Sequence, residues 1–219
     1  MLSDLVEAAM VTGGFAALAY VLGMVSRDGA LGGFVVGAAI YACLGLQGFA
    51  ILALFVVCGS ALTRLGYRSK QGRGIAQSRG GRRGARNALA NCGVAVACAF
   101  LATLTSSEVF AASFVASLGA AFADTAESEV GQLARRAPRV ITTLRKAPPG
   151  TDGAVSMPGT LAGIAAAVLT AFLGLAVGLL AEPGAALARV PGRSYRGDQG
   201  PPRGPGSENH DRYVRRVND

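Results

Sequence analysis

Three long stretches, residues 29–63, 88–107 and 153–181, contain no acidic or basic side chain. A fourth apolar stretch follows Glu108 and closes at Asp124, and a first begins after Asp4 and Glu7. Runs of about 18 or more apolar residues suit helices surrounded by lipid. Residues 29–63 are too long for one ordinary span, and Gly45, Gln47 and Gly48 offer a turn between two short ones. The pattern predicts an all-α, polytopic transmembrane helical bundle of about six helices. They fall near 5–25, 30–45, 48–63, 88–105, 108–123 and 158–181, in one transmembrane domain over 1–181. The first run lacks the basic start of a signal peptide, so it reads as a retained helix, and Met1 as an intact N-terminus. Residues 182–219 are rich in Gly, Pro and Arg, cannot bury a core, and read as a disordered polar tail.

Composition agrees with this picture: 51% of residues are hydrophobic and 16% charged. The net charge of +8 is clustered, with eight basic residues in 64–86, five in 135–146 and seven in 189–216. Basic loops flanking membrane helices follow the positive-inside rule. Nucleic acid is therefore not expected as a partner; the partner is the lipid bilayer. Loops 64–86 and 124–157 are both expected on the cytoplasmic side of the cell membrane, with the acidic N-terminus outside. The arginines of the tail break that pattern. Cys43, Cys58, Cys92 and Cys98 lie in apolar stretches without a CxxC pair, and the single histidine, His210, lies in the tail. Zinc or histidine-based catalysis is not expected. Gly33 with Gly37, and Ala116, Gly119 and Ala120, read as faces for close helix packing.

Chemistry concentrates where the fifth helix should meet water. Asp124, Glu127, Ser128 and Glu129 fall within six residues, and carboxylates at such a depth are costly enough to mark a site. Asp124 and Ser128 share a helix face if the helix continues. Such a group can hold magnesium, and it can equally be a solvated acidic cap. Arg64, Arg68, Lys70, Arg73, Arg82, Arg83 and Arg86 belong to a cationic loop suited to phosphate or to lipid head groups. Asn87 and Asn91 stand one turn apart at the start of the fourth helix. Gly150, Thr151, Gly153 and Ser156 form a small-residue loop opening the sixth helix, which can present backbone N–H groups to an anion. It is not a Walker A motif.

Together these residues resemble a known family. Its centre reads roughly GDTxASExG, a basic stretch, P-x-I-T-T, then GTxGxVSxxG. The matching text is Ala123-Asp124-Thr125-Ala126-Glu127-Ser128-Glu129-Val130-Gly131, then Pro138 to Thr143, then Gly150-Thr151-Asp152-Gly153-Ala154-Val155-Ser156. Upstream, Ser60 to Arg64 with Lys70, and Arg86 to Gly93, resemble further family elements. The resemblance, over about residues 25–180, is to the ninety-second domain-of-unknown-function family of integral membrane proteins. That family includes the transmembrane protein nineteen group and the plant phytyl-phosphate kinases. By resemblance, Asn91, Asp124, Ser128, Glu129, Gly131, Thr142, Gly150, Thr151, Gly153 and Ser156 carry over. Ala123, Glu127 and Asp152 depart from the pattern, and the D-S-L-L-G-A-like motif that usually closes family members is not found.

The resemblance implies a prenyl-phosphate kinase, moving a phosphoryl group from a nucleoside triphosphate such as CTP or ATP to a membrane-embedded isoprenoid monophosphate. Asp124, Ser128 and Glu129 are the expected catalytic residues, and Asp124, Glu127 and Glu129 the expected magnesium ligands. Arg64, Lys70, Arg86, Asn91, Gly150, Thr151, Gly153 and Ser156 are expected to bind phosphates. The alternatives are a transporter or lipid-binding protein for an anionic substrate, or an inactive truncated homologue.

Overall fold

The computed structural model describes residues 2–134, 136–151 and 153–180; the expectations for Arg135, Asp152, His210 and the tail fall outside them. The order is α1 (Leu2–Val21), α2 (Arg27–Arg64), α3 (Tyr67–Gly72), a 3-10 turn (Arg79–Gly81), α4 (Ala85–Thr105), α5 (Glu108–Gly131), β1 (Arg139–Val140), β2 (Ala154–Val155) and α6 (Met157–Ala176). Four of these, α2, α4, α5 and α6, are long and apolar enough to cross a membrane, and α1 contributes a shorter apolar run over Leu5–Val21. Large apolar side chains such as Leu31, Val94, Val109, Val168 and Phe172 stand exposed on the bundle, as lipid-facing positions must.

The apparent single helix α2 is a hairpin. Gly45 takes φ 61 and ψ −157 inside it, a conformation essentially confined to glycine. Beyond the turn the chain runs back on itself. The rings of Tyr41 and Phe49 lie 6.0 Å apart, and a Cβ on Gly37 would stand 3.3 Å from Phe49. In a straight helix, residues eight apart would be separated by about 12 Å. The arms, residues 27–44 and 46–64, each reach roughly 27–28 Å at about 1.5 Å per residue, close to the hydrocarbon thickness. With α1, α4, α5 and α6 they make six long helical segments.

The segments leave one end of the bundle carrying the chain's polar machinery. Gly23 (φ +68) closes α1, with Met24 N–H donating to Ala19 O and Gly23 N–H to Tyr20 O, a Schellman termination. Arg64, at the end of α2, donates to Leu22 O of the same corner. Gly84, the residue before α4, has no side chain to cap it, and Asp28 Oδ2 accepts from Ala85 N–H instead, at 3.1 Å. Ser26 grips the neighbouring backbone, its N–H and Oγ both donating to Arg83 O. Gly29 is required by this corner, since a Cβ there would stand 2.0 Å from Arg83 O.

The core is built from Ile40, Ile51, Phe55, Phe114, Leu118 and Phe122, with alanines of α4 and α5 filling the spaces between. α5 and α6 cross closely at small residues: a Cβ on Gly159 would meet Glu127 O at 2.7 Å and the Gly131 Cα at 3.1 Å. Three readings of the sequence change here. α5 does not stop at 123 but runs to Gly131, so the carboxylates lie on a helix rather than in a loop. α6 ends at Ala176 instead of 181. Of the three small residues expected to pack on α5, Gly119 does so, against Thr170, whereas Ala116 and Ala120 are exposed. The loop before α6 also adds a small antiparallel ladder, pairing Arg139 with Val155 and Val140 with Ala154.

Candidate functional site at the polar end of the bundle

The last two turns of α5 divide two cavities. One, of about 450 Å³, is lined by Asp124, Glu127, Ser128, Gly131, Gly150, Thr151, Gly153 and Ser156, among others. The other, of about 250 Å³, is lined by Arg82, Arg83, Asn87, Asn91, Asp124, Thr125, Ser128 and Glu129. Asp124 and Ser128 belong to both walls, as their spacing on one helix face requires. Asp124 is exposed to the cavities and makes no hydrogen bond or ion pair among the described residues.

The loop side is shaped by glycine. Gly150 (φ +89) and Gly153 (φ +69) occupy left-handed backbone positions. Thr151 is exposed, its Oγ1 donating to Pro148 O at 2.8 Å and its N–H to the same carbonyl at 3.3 Å. Its hydroxyl and N–H are therefore engaged within the loop. Ser156 caps α6 by accepting from Gly159 N–H at 3.2 Å while still lining the larger cavity. Thr142, carried over by resemblance, is exposed beyond β1 and lines neither cavity.

The cations are rearranged relative to the sequence reading. Lys70 is 1% exposed, and its Nζ donates to Glu129 Oε2 at 2.5 Å, with further bonds to Leu62 O and Thr63 O at 3.4 Å. Glu129 is 3% exposed. Each neutralises the other, so Lys70 is not free to clamp phosphate and Glu129 is not free to hold a metal. Arg64 is occupied at the end of α1, and Arg86 is exposed on α4 and lines neither cavity. Arg82 and Arg83 take the places expected of them.

Arg83 is the loop cation that the sequence reading included among seven but did not single out. Its guanidinium lies 4.9 Å from the Phe55 ring centroid and 3.4 Å from Thr125 Oγ1, with no carboxylate in ion-pairing range among the described residues. Burial pushes its pKa down from the ordinary arginine range, and the charge of Glu129 pulls the other way. Gly59 makes room for it, since a Cβ there would stand 2.9 Å from Nη2. Nothing in the sequence separates Arg83 from its neighbours in the basic loop.

The donor set limits how a metal could be held. Among the described residues no three acidic, histidine or cysteine side chains converge as a metal site. Asp124 is available, and Glu127 lines the same cavity with Oε1 accepting from Thr160 Oγ1 at 3.1 Å. One or two carboxylates fit magnesium, which keeps several waters and takes much of its coordination from substrate phosphates. They do not form a protein cage.

The profile of the integral membrane protein family DUF92 matches residues 10–193. The chain belongs to the DUF92 family. Among DUF92 relatives, an uncharacterised membrane protein of Synechocystis is 41% identical over 155 residues, covering 69% of this chain and 60% of its own. The chloroplastic protein VTE6 of Arabidopsis thaliana is 33% identical, covering 74% and 50% respectively. A membrane protein of Methanocaldococcus jannaschii is 30% identical, covering 68% and 60%. The matched part of the chain thus spans half to three-fifths of the length of these DUF92 relatives. No solved structure matches.

Proposed function

We propose that this integral membrane protein is a prenyl-phosphate kinase. The observation that carries the reading is Asp124, a carboxylate without a partner among the described residues and shared by two cavities, with an Arg/Asn wall on one side and a glycine-rich helix start on the other. Phosphoryl transfer asks a protein mainly to position two phosphates and neutralise their charge. The larger cavity would take the nucleoside triphosphate, CTP or ATP, beside Gly150, Gly153 and Ser156. The smaller would take the monophosphate of a membrane-embedded isoprenoid.

An oxygen of the acceptor phosphate forms the new bond to the γ-phosphorus, and the bond from that phosphorus to the β-bridging oxygen breaks, releasing the nucleoside diphosphate. The attacking oxygen is already anionic, so no strong general base is needed. Asp124, with Glu127 nearby, would hold magnesium, which supplies charge neutralisation on the phosphates. Ser128 stands beside Asp124 to orient the transferring group. We place the basic loops on the cytoplasmic side of the cell membrane, where nucleotides are available.

The test is transfer of label from the γ-position of CTP or ATP to farnesyl, geranylgeranyl or phytyl monophosphate, with magnesium, by the purified chain. Labelled prenyl diphosphate is expected, and it should vanish in Asp124→Asn while the fold is retained. Full turnover in that variant overturns the assignment. Binding of the prenyl phosphate without transfer would favour the transporter or lipid-binding reading.

A further inference from the structure

A narrow apolar slot of about 60 Å³ runs inside the bundle between α1 and the two arms of α2, past Phe15, Ala16, Gly33, Phe49 and Phe55. Arg83, Asn87 and Asn91 line both this slot and the 250 Å³ polar cavity, so the two meet at those three side chains. On its other side the slot shares Ala16 and Ala30 with an open apolar groove of about 370 Å³ between α1 and the first arm of α2. Apolar walls therefore extend from the lipid-facing groove to a guanidinium, with Ala16 and Ala30 standing between groove and slot. That guanidinium offers five donors in a planar fork, and the described residues engage it with one long hydrogen bond and one ring face. A part-buried cation without a carboxylate is costly, and an anion is the partner that would relieve it.

We propose that Arg83, Asn87 and Asn91 form the head-group subsite for a single-chain amphiphile bearing a phosphate monoester, with its chain in the slot and groove. The two amides share a face of α4, one turn apart, and supply donors next to the fork. The closed slot has room for only about two waters, so most of a single chain would lie in the 370 Å³ groove, and its head end would reach Arg83 only by parting α1 from the first arm of α2. Gly33 lies on its wall, and a Cβ there would have no atom within 4 Å. Asp124 and Glu129 also face the polar cavity, but Glu129 is held by Lys70, which leaves Asp124 on the wall away from the slot. This assignment takes its acceptor role from the kinase reading, but its binding chemistry stands without turnover.

The test uses the full chain in detergent, without nucleotide, titrated with farnesyl monophosphate, farnesol, inorganic phosphate and phosphatidic acid. Farnesyl monophosphate is expected to bind at least tenfold tighter than the other three. Arg83→Gln should weaken it tenfold or more, with partial recovery in Arg83→Lys, while a separate titration with the nucleoside triphosphate alone gives an unchanged Kd. Gly33→Phe should weaken farnesyl monophosphate and leave inorganic phosphate where it was. Should Arg83→Gln fail to fold, Asn91→Ala and Gly33→Phe carry the same decision. A wild-type Kd for farnesyl monophosphate in folded Arg83→Gln or Gly33→Phe overturns the assignment, as does equal binding of inorganic phosphate or phosphatidic acid. Binding without transfer removes the kinase reading and leaves this one standing. Transfer with an unmoved acceptor KM in Arg83→Gln does the reverse.

Discussion

Replacing Glu129 by alanine separates a structural carboxylate from a catalytic one. The substitution would leave the Lys70 ammonium 1% exposed, with only the carbonyls of Leu62 and Thr63 at 3.4 Å. Removing one partner of a buried pair costs about 3–5 kcal/mol, because the remaining charge is uncompensated. At about 2–4 °C per kcal/mol for a chain of this size, thermal unfolding should move down by roughly 6–20 °C. The assay is a melting curve in detergent, read by reaction of buried Cys92 and its neighbours with a thiol-reactive dye. Glu129→Gln should fall between wild type and alanine, since it keeps an acceptor. The double replacement Lys70→Met with Glu129→Met should recover most of the loss, because apolar residues of similar volume substitute well for a buried ion pair. A shift below about 2 °C in Glu129→Ala, less than about 1 kcal/mol on that scale, would refute the argument. If that variant also lost its magnesium dependence, Glu129 would be a ligand after all.

Other substitutions probe the same end of the bundle. Asp124→Asn should melt within about 2 °C of wild type, well under the shift expected for a buried group, while abolishing transfer. Ser156→Ala removes the cap of α6 and should cost about 1 kcal/mol, measured in the same melting assay. Gly159→Ala forces α5 and α6 apart and should cost about 1–3 kcal/mol, with Asp124 and the α6 start separating in a cross-linking measurement. Gly150→Ala meets both a left-handed backbone and Ile75 Cγ2 at 2.8 Å; it should cost at least about 1–2 kcal/mol and raise the nucleotide KM more than the acceptor KM.

The spans were legible because lipid imposes a simple rule: some twenty residues without charge. The hairpin was legible too, since Gly45, Gln47 and Gly48 interrupt a run too long for one helix. The extension of α5 past Asp124 was not. Two facts hold it. Ala and Glu are good helix formers, and Lys70, 59 residues away in sequence, neutralises the carboxylate that the extra turns bury. No local pattern encodes that pairing. The cationic loop was recognised as a whole, yet its sequence holds eight basic side chains without rank. Contacts made elsewhere sort them: Leu22 O takes Arg64, Glu129 takes Lys70, and the space above Phe55 beside Gly59 receives Arg83.

The turn at Gly45 has a consequence for biogenesis. Because the α2 hairpin begins and ends on the same side, its insertion carries no hydrophilic stretch across the bilayer; only the few residues around Gln47 reach the far side. A residue with a Cβ at position 45 would resist φ 61 and favour one continuous helix of 38 residues, about 57 Å long against a hydrocarbon layer of about 30 Å. Such a rod would cross once where the hairpin crosses twice. Every later segment, from Lys70 to the loop at Gly150, would then emerge in the opposite compartment. The parity of the entire downstream topology thus depends on a single left-handed glycine.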